Sequence, residues 1–186
     1  MEELLSYLEA IHPMSPGLQK HLRSILMVQE VRKKDLLLAA GQVCSRIYFI
    51  QKGIFYSYYE SGEHEVIGWF MQEGDIIISV RSFFSQRPSY QSIQALEDGK
   101  LYSISYDELQ HIYRAYPEFN FTGRVLVEKY YQLYEDQLYG LKKKTAKERF
   151  EYFLEHHADL LQRVPKVYLA SYLGMNAETL SRLRGV

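Results

Sequence analysis

The feature that most limits the fold of this chain is a block of short apolar runs, separated by glycines, between residues 31 and 105. Isoleucine, valine, tyrosine and phenylalanine dominate the runs, and these side chains favour strands. Asp98-Gly99 is a turn dipeptide between two of the runs, and Glu60-Ser-Gly-Glu63 fits a hairpin turn. Glycines lie between the runs, at Gly41, Gly53, Gly62, Gly68, Gly74 and Gly99. Many short strands at regular spacing predict a sandwich or barrel.

Helical periodicity flanks this block on both sides. Residues 1 to about 30 read as helical, with an apolar face that comprises Leu4, Leu5, Leu8 and Ile11. From Tyr106 onward the apolar spacing is helical again, and Pro117 fits the first position of a long helix. A further helix is predicted from about residue 145 to 157. Strands followed by a run of helices predict an α+β protein.

One face of the predicted long helix carries a regular apolar stripe. Its members are Val127, Tyr131, Tyr134, Leu138 and Leu141, which repeat at steps of four and three. Such a stripe, here about two heptads long, is typical of a helix that pairs with a second copy of itself. A helix packed on its own β-domain would show a similar stripe, and this one is wide enough for both uses. We predict that it forms a homodimer interface.

The last segment, YLASYLGMNAETLSRLRGV, predicts two short helices joined by a tight turn. Gly174 suits the end of the first helix because glycine adopts a positive φ without strain, and Asn176 suits the N-cap of the second. Leu180 and Leu183 face inward in the second helix. The largely outward positions are Glu178, Thr179, Ser181, Arg182 and Arg184. This is a helix-turn-helix pattern, whose second helix reads DNA in DNA-binding proteins. An ordinary helical hairpin is the alternative.

Charge is distributed unevenly along the chain. Residues 1–140 carry 13 Lys and Arg against 18 Asp and Glu, a net charge of −5, whereas residues 141–186 carry 9 against 5, a net charge of +4. A basic tail on an acidic body indicates a polyanionic partner for the tail. The alternative is that the basic residues, including Lys142, Lys143 and Lys144, only form the solvated outer surface of a helix.

Several functional classes lack the residues that they need. The chain has one cysteine, Cys44, which excludes an intrachain disulfide and an iron–sulfur cluster and suggests the cytoplasm. No apolar run approaches the roughly 18 residues of a membrane span, and the acidic N-terminus is not a signal peptide. The histidines are scattered, and there is no nucleophile–base pair, zinc spacing or phosphate loop. We therefore predict no catalytic residue, no metal site, no cofactor and no membrane partner.

Taken together, the segments IYFIQKGIFYSYY, GWFMQEGDIIIS and YLASYLGMNAETLSRLR resemble the Crp/Fnr family of bacterial transcription regulators. The resemblance implies an α+β fold: a jelly-roll-like β-roll sensor domain with flanking helices over residues 1–116, a dimerisation helix over 117–140, and a helix-turn-helix domain over 141–186. It implies a cytoplasmic homodimer that binds double-stranded DNA and responds to a small-molecule effector bound in the β-roll.

The resemblance also implies which residues contact DNA. Glu178 and Arg182 stand at the two positions that commonly contact bases, and Asn176 and Thr179 stand at the helix start, where phosphate contacts are expected. Ser181 and Arg184 complete the predicted DNA-binding set. Many relatives continue into a β-hairpin wing, and because the sequence stops two residues after Arg184, we expect a head without that wing.

The predicted effector pocket departs from the pattern of the nucleotide-binding relatives. They carry Gly-Glu shortly after the Gly-Asp pair, and an arginine about ten residues later. Here Ile78 and Ser79 replace Gly-Glu, and Ser89 replaces the arginine. A ribose hydroxyl and a phosphate would stay unpaired, so we predict that cyclic AMP does not bind with useful affinity. The candidate pocket comprises Ser79, Arg81, Arg87, Ser89 and Tyr90. The alternative function is a ligand-binding or protein-interaction module with a vestigial DNA-binding head.

Overall fold

The computed structural model describes residues 1–62, 64–143 and 145–185, which contain nine helices and eight strands. The strands are β1 Met27–Val31, β2 Leu36–Leu38, β3 Arg46–Lys52, β4 Phe55–Ser61, β5 His64–Met71, β6 Ile76–Ile77, β7 Ser92–Ala95 and β8 Gly99–Ser105. The helices are α1 Glu2–Ile11, α2 Pro16–Ile25, α3 Val80–Ser85, α4 Tyr106–Ala115, α5 Glu118–Leu141, α6 Ala146–His157, α7 Leu160–Arg163, α8 Lys166–Tyr172 and α9 Ala177–Arg184. The predicted α+β class, with strands between two groups of helices, is confirmed.

The strands form a β-roll of two antiparallel sheets, each with four strands among the residues described. Their orders are β1-β8-β3-β6 and β2-β7-β4-β5. In the first sheet, Leu101 of β8 lies opposite Gln29 on one side and Ile50 on the other. The two strands predicted around Asp98-Gly99 are present, but they belong to different sheets. This turn therefore moves the chain from one sheet to the other, and it does not close a hairpin.

The N-terminal prediction is wrong in its extent, because the first 30 residues are not continuously helical. Helix α1 ends at Ile11, α2 begins at Pro16, and Met27–Val31 is a strand. Two local signals cause the break: the chain is extended at His12, and the Ser15 hydroxyl accepts the Leu18 N–H at 3.2 Å as an N-cap.

The described residues divide into two compact units. The first comprises residues 1–57 and 70–128, and the second comprises the described residues of 58–69 and 129–185. Strands β4 and β5 and helix α5 contribute residues to both units. The most deeply buried side chains of the first unit include Leu18, Leu22, Ile50, Phe55, Phe83, Ile93, Leu101 and Ile112. Those of the second unit include Phe150, Phe153, Leu160, Leu169, Leu173 and Leu180.

The helices predicted after residue 116 are present. Helix α5 follows Pro117 directly and runs for 24 residues. Helix α6 begins with a capping box: the Thr145 hydroxyl accepts the Glu148 N–H at 3.1 Å, and the Glu148 carboxylate accepts the Thr145 N–H at 2.8 Å. The domain boundaries predicted at 116 and 140 stay predictions.

Candidate nucleic-acid interface and effector cassette

The turn between α8 and α9 has the geometry that its residues predict. Gly174 has a φ of +62°, and the side-chain oxygen of Asn176 accepts the Thr179 N–H at 2.7 Å. Leu169 of α8 and Leu180 of α9 are fully buried. The predicted pair of helices is thus confirmed, and the apolar side of α9 is held against the rest of the unit.

Arg149 of α6 holds this turn in place, and the sequence reasoning missed it. Its guanidinium donates to the carbonyl oxygens of Leu173 at 2.8 Å, Gly174 at 3.2 Å and Lys143 at 3.2 Å. These carbonyls lie at the ends of helices, where no intrahelical N–H remains to bind them. The sequence shows an arginine in α6, but its contact with Leu173 spans 24 residues and no local pattern indicates it.

Glu178 and Arg182 form the outward strip of α9. Their side chains are 78% and 73% exposed, and their charged groups lie 3.3 Å apart. An exposed ion pair of this kind contributes little to stability, so both groups can exchange it for another partner at small cost. Thr179, beside Glu178, is half-buried. The strip therefore presents one donor group and one acceptor group to solvent.

The remaining predicted DNA-binding residues have partners within their own unit. Asn176 uses its side-chain oxygen as the α9 cap. The Ser181 hydroxyl accepts from the Lys166 ammonium at 3.0 Å, which brings that cation next to α9. Arg184 donates to the carbonyl oxygen of Leu161 at 3.0 Å. Lys166 lies outside α9 in the sequence, but its ammonium lies beside α9, where it could bind a phosphate.

The other basic residues of the tail lie around the start of α6. Lys143 places its ammonium 4.1 Å from the centre of the Tyr139 ring, and the hydrogen bond that it donates to the Tyr139 hydroxyl raises the pKa of this lysine. Lys142 and Lys147 are exposed. Lys144 lies outside the described residues.

Two serines of the predicted effector pocket are hydrogen-bonded to each other. Ser79 and Ser89 are 1% and 4% exposed, and their hydroxyl oxygens lie 2.9 Å apart. The Ser89 hydroxyl donates to the carbonyl oxygen of Gln91 at 2.7 Å and accepts the Gln91 N–H at 3.1 Å. Since a hydroxyl carries one proton, Ser79 is the donor in the serine pair.

The other three candidate pocket residues do not join this pair. Arg81, Arg87 and Tyr90 are all exposed. Beside the serine pair, the Ser82 hydroxyl accepts the N–H of Cys44, and burial raises the pKa of the Cys44 thiol. The structure therefore brings together only the two serines among the five predicted pocket residues, and it surrounds them with groups that are already hydrogen-bonded.

The apolar stripe of α5 faces outward along its whole length. Its five predicted members, Val127, Tyr131, Tyr134, Leu138 and Leu141, are between 38% and 69% exposed. In the second unit, the Tyr134 ring stacks on Trp69 with ring centres 6.5 Å apart.

The described part of the chain was compared with what a metal site and a membrane span require, and it meets neither requirement. Across residues 1–62, 64–143 and 145–185 there is no group of three or more His, Cys, Asp or Glu side chains that could hold a metal ion. No helix in the same ranges is long and apolar enough to cross a bilayer. His21 and His111, far apart in sequence, do come together with ring centres 5.3 Å apart.

Known proteins that are similar to this chain include transcription regulators. Residues 28–116 match the family model described as the cyclic nucleotide-binding domain. The fumarate and nitrate reduction regulatory protein of Yersinia pestis is 28% identical over 168 residues, which cover 83% of this chain and 66% of that protein. The chain thus spans just under two thirds of that relative's length.

Solved structures agree on the fold. FixK2 from Bradyrhizobium japonicum superimposes with a TM-score of 0.72 at 20% identity, covering 87% of this chain and 83% of that one. A mutant of CooA from Carboxydothermus hydrogenoformans gives 0.70 at 20% identity, covering 96% and 82%. The resemblance seen in the sequence is therefore confirmed.

Proposed function

We propose, starting from the confirmed relationship of this chain to the Crp/Fnr transcription regulators, that it is a cytoplasmic, non-enzymatic regulator that binds double-stranded DNA as a homodimer. The outward strip of α9 carries the proposal. The inner face of α9 is fixed by the buried Leu180, while Glu178 and Arg182 are exposed and form only a weak ion pair with each other.

These two side chains suit base edges in the major groove. An arginine binds the two acceptors of guanine in a bidentate fashion, and a glutamate accepts from the amino group of cytosine. Lys166, held next to α9 by Ser181, supplies a charge for the phosphate backbone. The net charge of +4 after residue 140 favours the same partner.

Dimerisation would double this strip. A contiguous exposed apolar stripe on a helix marks an interaction surface, and its four-three spacing suits a copy of the same helix. Tyr131→Glu places a charge at the centre of the stripe and is expected to shift the protein towards monomer in sedimentation velocity. Gln132→Glu, the same new charge on the next residue, is the control. Equal dimer fractions in both variants would exclude the stripe as the interface.

Selection from random duplex DNA at two salt concentrations tests the DNA-binding function itself. We expect an enriched sequence, with affinity that falls as salt rises because phosphate contacts release counterions. On that sequence, Arg182→Ala should cost about 1–3 kcal/mol and relax one base position. Arg114→Ala, which removes an exposed charge from α4, is the control.

The signal that the β-roll senses is proposed to be something other than cyclic AMP, because the serine pair stands where relatives carry a carboxylate and a cation. No enriched sequence at low salt, together with a small molecule that shifts the melting temperature, would instead favour a ligand-binding module with a vestigial head.

A further inference from the structure

The first sheet of the β-roll carries a surface cavity at one of its ends. Strands β1 and β3 end there, and β8, which lies between them, begins there. The cavity has a volume of about 390 Å³ and is lined by residues of these three strands and of the segments next to them. None of the five residues of the predicted effector pocket lines it. It is therefore a separate candidate site within the first compact unit.

Three of the residues that line the cavity are cations, namely Arg32, Lys52 and Lys100. Lys100 of β8 lies directly opposite Lys52 of β3 in the strand register. Like charges at directly opposite positions of neighbouring strands destabilise a sheet. An anion bound between the two ammonium groups would offset this repulsion, because each of them would then have an opposite charge beside it.

Two carboxylates also line the cavity, but they leave the three cations unpaired. Asp98 accepts the backbone N–H of Lys33 at 2.7 Å, so one of its oxygens is engaged by the connection between β1 and β2. Glu30 lies opposite Lys100 on the other side of β8. Within the part of the chain that the structure describes, no carboxylate forms an ion pair with any of the three cations. The cavity thus holds more positive than negative charge, and its positive groups have no partner.

We propose that this cavity binds a small metabolite that carries a phosphate group. A phosphate carries about two negative charges at neutral pH, which suits a site with three cations. Arg32 supplies a planar guanidinium that binds two phosphate oxygens at once, and Lys52 and Lys100 supply compact charges. The volume is near the lower end of the range of small-molecule pockets, about 300–1,000 Å³, so the ligand is compact. The proposal concerns the β-roll alone and does not depend on DNA binding.

Titration calorimetry of the full chain with inorganic pyrophosphate, at low ionic strength, tests the site. We expect saturable binding to the parent and about tenfold weaker binding to Lys100→Gln, which loses a charge-assisted hydrogen bond. Lys20→Gln removes an exposed lysine that does not line the cavity, and Arg182→Ala removes the cation of the proposed DNA-binding strip. Both controls should bind as the parent does. No saturable binding to the parent, or equal affinity in Lys100→Gln, would overturn the proposal.

Glu30→Gln provides a second test whose expected result cannot come from a failure to fold. The substitution removes a negative charge from the wall of the cavity, so pyrophosphate should bind about threefold more tightly. Binding as weak as in the parent, or weaker, would mean that the anion lies elsewhere and would overturn the proposal. The melting temperature of Lys100→Gln without ligand should not fall below that of the parent, because the repulsion from Lys52 is removed.

Discussion

The hydroxyl oxygens of Ser79 and Ser89 lie 2.9 Å apart in the interior of the β-roll, at positions ten residues apart in the chain. By the family resemblance, these are the positions at which nucleotide-binding relatives are expected to hold a carboxylate and an arginine. Here the two side chains are short and neutral, and they bind each other. The two hydroxyls therefore have hydrogen-bond partners within the protein and need none from a ligand.

Ser89→Ala tests whether this pair stabilises the roll. The substitution removes the acceptor of the Ser79 hydroxyl and of the Gln91 N–H, and a buried group left without a partner costs about 1–3 kcal/mol. We expect a corresponding loss in the free energy of unfolding, measured by urea titration with an unchanged m-value. Ser85→Ala, at an exposed serine that bonds within α3, should lose little. Equal losses in both variants would show that the pair contributes nothing specific.

Cyclic AMP should not bind the parent protein. Its phosphate would face Ser89 where relatives supply an arginine, and its ribose hydroxyl would face Ser79 where they supply a carboxylate. Isothermal titration calorimetry with millimolar cyclic AMP is therefore expected to give no saturable heat. Saturable binding that disappears in Arg87→Ala would contradict this prediction and would identify the exposed Arg87 as the cation that serves the phosphate.

The sequence predicted well those features that depend on neighbours in the chain. The cap at Asn176 joins two residues that are three positions apart in the chain, so the residue types alone indicate it. The break after Ile11 depends on equally local features, which are the extended backbone at His12 and the N-cap at Ser15. The strands were recognisable from glycine-separated apolar runs because the residues between glycines favour extended structure.

The features that the sequence did not predict depend on contacts between distant segments. Ser171 meets β5 across 104 residues, and Arg149 meets the turn carbonyls across 24 and 25. No periodicity encodes which side chain will reach which backbone group. The assignment of β7 and β8 to different sheets is likewise a tertiary outcome, since Asp98-Gly99 also suits a hairpin.

Gly99 should be intolerant of any side chain. A Cβ at this position would lie 2.7 Å from the carbonyl oxygen of Lys52 and 2.8 Å from the Phe55 ring, both too close for van der Waals contact. Gly99→Ala is expected to lower the free energy of unfolding by about 1–3 kcal/mol, as overpacked interiors do. Gly17→Ala is the control, because the nearest atom to its Cβ would be 3.6 Å away. A Gly99→Ala protein as stable as the parent would mean that the two backbone segments can separate at no cost.

Glu108 should contribute a stability that acid removes. Burial raises the pKa of this carboxyl, but the hydrogen bonds from Ser105 and the charge of Arg46, 3.8 Å away, outweigh it and hold the pKa below the ordinary 4.5. A carboxyl whose pKa is lower in the folded protein stabilises it above the unfolded pKa, and this contribution is lost as the pH falls through the folded pKa. Glu108→Gln should therefore be less stable than the parent at pH 7, with a difference that narrows below about pH 4.5.

Urea unfolding across this pH range measures the Glu108 effect. Asp107→Asn, which neutralises the exposed carboxyl one residue earlier, is the matched control. A constant difference between Glu108→Gln and the parent from pH 7 to pH 3 would assign the loss to the shape of the capping box and not to its charge.

Arg149 should be the residue on which the geometry of the helix-turn-helix depends most. Arg149→Met keeps much of the length of the side chain but removes the guanidinium. The carbonyl oxygens of Leu173, Gly174 and Lys143 lose this donor and are left to water. We expect faster amide exchange in α9 and an unfolding free energy lower by about 1–3 kcal/mol. Lys147→Met removes an exposed cation from the same helix and should change neither quantity. Neither substitution alters the buried Leu180. Faster amide exchange in α9 of Arg149→Met alone would show that the turn is fixed by this guanidinium and not by leucine packing alone. Equal exchange in the two variants would assign the turn to Gly174 and Asn176.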